Sequence, residues 1–125
     1  MENKEGCACC SAPKLIFPCS GASDVGEITD RTARQLTKRG KGKMYCLAGI
    51  GGGVEDIVAN AKSASTILVI DGCPKDCAKL TMEKGGFKNF TFLRLSDMGM
   101  EKGKTPPTHE NIARAAEKAA GMLAR

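Results

Sequence analysis

The sequence predicts a small three-layer α/β/α sandwich, flavodoxin- or Rossmann-like, with a four-stranded parallel sheet in the order 2-1-3-4. Two observations carry this. A strand–helix alternation repeats four times along the chain, which calls for a parallel sheet with helices on both faces and right-handed crossovers. The segment TILVID at 66–71 is also apolar at every position from 67 to 70, with no alternation. That is the pattern of a central parallel strand covered on both sides.

Each element follows from local chemistry. The apolar run 15–17 is a strand that ends at Pro18, which cannot donate to a ladder. Val25, Ile28, Thr32 and Leu36 recur at helical spacing within 24–39, with Ser23 or Asp24 as N-cap and Gly40 as terminator. A second strand covers 43–47, followed by the glycine cluster GIGGG at 49–53. Val54, Ile57, Val58 and Ala61 mark a second amphipathic helix. Pro74 suits the first position of a helix over 74–84, which Gly85-Gly86 ends. A fourth strand is predicted over 89–95, then a loop to Pro-Pro at 106–107. Thr108 caps a last helix with the stripe Ile112, Ala116, Ala119, Ala120 and Leu123.

With 125 residues the chain suits one domain at 14–125, preceded by a flexible arm at 1–13 that carries Cys7, Cys9 and Cys10. No Trp, one Tyr and four Phe leave the core to aliphatic residues. The net charge of +5 is spread, apart from Lys38, Arg39, Lys41 and Lys43 around one turn. With few aromatics beside them, these read as a solvated turn and not a nucleic-acid surface. No run approaches the roughly 18 apolar residues of a membrane span, so no membrane partner is expected. The expectation is a cytoplasmic protein, where thiols stay reduced. Seven cysteines are many for such a chain, and the odd count argues against a closed disulfide framework.

Four of the thiols fall together on the predicted architecture. Cys19 follows the first strand, Cys46 sits near the end of the second and Cys73 follows the third. Neighbouring strands lie about 5 Å apart, so these carboxyl ends are adjacent. The carboxyl edge at the switch point is where open α/β sheets bind ligands. If Cys73 is an N-cap, Cys77 lies one turn into the helix on the same face. Helix N-termini favour thiolate, the form that ligates metal or attacks an electrophile.

Four thiolates suit Zn²⁺ or an iron–sulfur cluster, and the absence of a C-x-x-C-x-x-C run favours zinc. The competing chemistry is a thiol redox or sulfur-transfer enzyme, with Cys73 as nucleophile and Cys77 or Cys19 resolving it. Against both stands the plain reading of cysteine as a small buried hydrophobe.

The segments FPCSGASDVGEITDRTARQL, YCLAGIGG and VIDGCPKDCAKL resemble the DGC domain family, named for an Asp-Gly-Cys motif, here Asp71-Gly72-Cys73. The resemblance runs from about Leu15 to the C-terminus. It implies zinc binding by four chelating cysteines, matching Cys19, Cys46, Cys73 and Cys77, and no established reaction. A role in metal handling or sensing is the expectation, with a metal ion as partner and no protein partner indicated.

Other residues are expected around that centre. Asp71 caps the third helix or orients a ligand; Gly72, Ser20 and Asp24 stand beside the thiols. GIGGG reads as tight packing between the second strand and its helix, since it lacks the dinucleotide fingerprint. His109, the one histidine, sits at a helix start on the surface, so a Cys–His mechanism has no base near the cysteines. The arm's C-x-C-C is a candidate accessory metal site for thiophilic ions.

Overall fold

Strands β1 (Lys14–Pro18) and β3 (Thr66–Asp71) run side by side through the middle of a parallel sheet ordered β2-β1-β3-β4. The structure, a computed structural model, describes residues 12–124; Cys7, Cys9 and Cys10 lie outside them. The order and the parallel sense are those predicted. The register is continuous from Lys14↔Thr66 to Pro18↔Ile70 between β1 and β3, and from Leu68↔Thr91 to Asp71↔Arg94 between β3 and β4.

Alternate strand residues feed two cores. Leu15, Phe17, Ile67 and Val69 pack with Ile50, Ala61, Ala78 and Met82 of α2 (Leu47–Gly51), α3 (Glu55–Lys62) and α4 (Cys77–Lys84). Ile16, Leu68 and Ile70 pack on the other face with Val25, Ile28 and Leu36 of α1 (Asp24–Lys38). Ile112, Ala116 and Ala119 of α5 (His109–Leu123) complete that core. Both faces of β3 are therefore covered, which is why its sequence shows no alternation. Ser23 Oγ accepts from Gly26 N at 3.1 Å and Thr108 Oγ1 from Asn111 N at 3.2 Å, so both predicted caps form. No helix among the described residues is long and apolar enough to cross a membrane.

Three elements depart from expectation. β2 is only Lys43–Met44. Tyr45 still donates to the Ile16 carbonyl at 2.9 Å, and Cys46 then caps α2, which absorbs the start of the glycine cluster. Burial of Ile50 at 3% exposure outweighs the poor helix propensity of Gly49 and Gly51. Gly49 is there for space: a Cβ would lie 2.3 Å from Ile57 Cδ1, so this glycine seats α3, in line with the packing reading of GIGGG.

The helix predicted at 74–84 begins only at Cys77, because Asp76 is left-handed (φ 56°, ψ 41°) and interrupts it. Residues 73–76 instead make a turn closed by Asp76 N to Cys73 O at 3.3 Å. Strand β4 is Thr91–Arg94, and the chain then tightens into a 3₁₀ turn at Leu95–Met98 that buries Leu95.

Candidate functional site

The loops that leave β1, β2 and β3 at their carboxyl ends carry Cys19, Cys46 and Cys73, Cys77 is the first residue of α4, and all four thiols are free. They do not sit alike. Cys19 and Cys46 line one cleft of about 500 Å³, together with Ser20, Tyr45, Gly51 and Thr81. Cys19 packs on the α2–α3–α4 side of the sheet. Cys77, exposed, opens α4, and its carbonyl accepts from Thr81 Oγ1 at 2.7 Å. Cys73 packs against the opposite core, beneath α1 and α5.

The expectation that Cys73 and Cys77 share a helix face is thus corrected. Cys73 lies in the turn before α4, four positions upstream of a helix that starts at Cys77.

The environment of Cys19 is built by a residue the sequence reading passed over. Thr29 is fully buried in α1, and its hydroxyl donates to the Gly26 carbonyl at 2.7 Å. With that hydrogen committed, Thr29 Oγ1 accepts from the Ser20 N–H at 3.0 Å and faces Cys19 Sγ at 3.5 Å. Thr29 thus orients the Cys19 loop. Ser20 is left-handed (φ 50°), and its hydroxyl donates to Asp30 at 2.8 Å, on the rim of the same cleft. The signal for Thr29 lay in its place inside α1, six residues past the Ser23 cap, where a threonine can return a bond to the chain.

Asp71 is 1% exposed and acts as a cap from outside the helix: Oδ1 accepts from Ala78 N at 2.8 Å and Oδ2 from Lys79 N at 2.9 Å. Burial raises its carboxyl above the ordinary value, against the pull of the two amides. Gly72 is required by space: a Cβ would meet Val25 Cγ2 at 2.8 Å and the Val25 carbonyl carbon at 3.0 Å. The Asp-Gly pair before Cys73 therefore ties β3 to α4 and to α1 at once.

Asp24 faces a different loop. Its carboxylate accepts from Val25 N at 2.8 Å, Gly103 N at 2.9 Å and Thr105 N at 3.0 Å, and these amides hold its pKa below the ordinary value. It fastens residues 103–105 to the start of α1. Arg94 clasps Asp76 (Nε to Oδ1, 2.8 Å; Nη2 to Oδ2, 2.5 Å) and also reaches Asp97 at 3.3 Å. The guanidinium holds the Asp76 carboxyl low. This bidentate pair pins the left-handed residue that separates Cys73 from α4.

Four thiols are a donor set for a thiophilic ion, but their positions do not enclose one. Among the described residues no three Cys, His, Asp or Glu side chains lie near enough together to hold a metal ion.

The family model of the DGC domain matches residues 15–119, spanning all four of these thiols and the Asp71-Gly72-Cys73 motif. This chain belongs to the DGC domain family. It is 35% identical over 88 residues to the anaerobic and virulence modulator AnvM of Pseudomonas aeruginosa PAO1, a match covering 70% of this chain and 67% of that protein. No solved structure matches the chain significantly.

Proposed function

We propose that this DGC domain binds a thiophilic metal, Zn²⁺ first, through Cys19, Cys46, Cys73 and Cys77. The reading makes it a metal-handling or metal-sensing module. The observation that carries it is the placement of four free thiols beyond the carboxyl ends of three adjacent strands, three on the loops and Cys77 at the start of α4. Thiolate donors select soft ions, and four of them suit tetrahedral zinc. Bound there, the ion would supply a closed structural cross-link between loops and no open catalytic position.

Ligation by all four requires the thiols to draw closer than they stand, and Cys73 and Cys19 pack against opposite cores. The turn that would have to yield is short. It is closed by one 3.3 Å backbone bond and latched by the Arg94–Asp76 pair. Metal uptake is therefore expected to couple to a change at residues 73–76.

Elemental analysis of anaerobically purified protein tests the reading, alongside the four single Cys→Ser variants. One metal per chain, lost or sharply reduced in each variant, is the expected result. Metal content that persists unchanged in Cys73→Ser and Cys77→Ser would sink it. Alkylation gives an independent view. Ligated thiols should resist reagent until a chelator is added, whereas a redox pair would react at once.

A further inference from the structure

Cys73 has surroundings that the metal reading does not use. It lines an open cavity of about 670 Å³ with Pro74, Lys75, Ser96, Gly99, Glu101 and Lys102. Ser96 Oγ is buried in the wall with no hydrogen-bond partner among the described residues. A buried hydroxyl without a partner costs about 1–3 kcal/mol, so such groups call for a ligand or water.

The charges nearby are spoken for, with two exceptions. Asp76 and Asp97 are taken by Arg94, and Glu101 is paired with Lys104 at 3.7 Å. Asp24 is spent on the Val25, Gly103 and Thr105 amides, and Asp71 on those of Ala78 and Lys79. Among the described residues Lys75 and Lys102 form no ion pair, and they stand on the same cavity as Cys73 and Ser96.

We propose that this cavity binds a small carboxylate or oxyanion. Lys75 and Lys102 attract it, and it lies against the Cys73 thiol, over the wall in which the Ser96 hydroxyl is buried. The site belongs to the metal-free chain and does not rest on the metal reading. It makes Cys73 the thiol that meets small anionic electrophiles.

Paired alkylating reagents of equal reactivity class and different charge test this directly. Iodoacetate and iodoacetamide each form an S–C bond with the thiol sulfur; iodide leaves and the thiol proton passes to solvent. Metal-free protein is treated with each, and labelling at Cys73 and Cys46 is quantified by mass spectrometry. The iodoacetate-to-iodoacetamide rate ratio at Cys73 should exceed that at Cys46 by about fivefold, the scale of exposed charge pairs. It should fall to the Cys46 value in the Lys75→Gln/Lys102→Gln variant. Inorganic phosphate and acetate, added separately, identify the preferred anion by which one slows labelling of Cys73 and spares Cys46.

Equal ratios at the two cysteines, or a Cys73 ratio unchanged by the double substitution, would overturn the proposal. Both lysines are exposed, so the double variant is expected to fold. Because the measurement uses metal-free protein, its failure leaves the metal content of the purified chain untouched as a separate result.

Discussion

Asp71 shows how much one side chain does in this fold. It is the last residue of β3, yet its two oxygens satisfy amides at the start of α4. Asp71→Ala leaves both amides without that acceptor and should cost about 2 kcal/mol in denaturant unfolding. The pH dependence has a definite sign. A carboxyl whose folded pKa is raised contributes its full stability below 3.8 and loses it as pH rises through the folded value. The stability difference between wild type and the non-titrating Asp71→Asn should therefore drift against wild type as pH increases from that region; a drift the other way would contradict the assignment. Gly72→Ala drives a methyl into Val25 and should destabilise by about 1–3 kcal/mol. The sequence offered the capping role of Asp71 because aspartate before a helix is a recognised signal. Nothing local to Gly72 announced its contact, which depends on where α1 docks.

Among elements, the β3–α4 connection is where the sequence misleads. Pro74 suits a first helical position and Gly85-Gly86 a helix end, so a helix over 74–84 is the natural reading. Asp76 is left-handed in the turn, and the Arg94 that pins it comes from the end of β4, eighteen residues away, so no local pattern shows the interruption. The same limit applies to β2 and α2, where burial of Ile50 decides between strand and helix. The longer elements were legible: both predicted caps form, and the stripes of α1 and α5 face the core. The α1 start also anchors a distant loop through Asp24. Its lowered pKa means that its stabilisation is present above 3.8 and lost as pH falls through the folded value. Asp24→Asn should speed hydrogen exchange at the Gly103 and Thr105 amides at neutral pH. The difference from wild type should shrink once pH drops below 3.8. Equal exchange in both proteins at neutral pH would show that the loop is held by something else.

At the scale of the whole molecule, the sheet order 2-1-3-4 accounts for the placement of the thiols. Adjacent strands β2, β1 and β3 each end near a cysteine, which is why the spacing of Cys19, Cys46 and Cys73 in the sequence pointed to one edge. What the order does not specify is the face on which each side chain lies. Cys19 joins the α2–α3–α4 core and Cys73 the α1–α5 core. On the metal reading proposed above, a bound ion overrides this division and is held by all four sulfurs. Zinc K-edge X-ray absorption on the zinc-loaded chain measures this most directly. Four sulfur ligands at about 2.3 Å are expected, with one sulfur lost in each Cys→Ser variant. A first shell with two or fewer sulfurs, or one unaltered by Cys73→Ser, would contradict it.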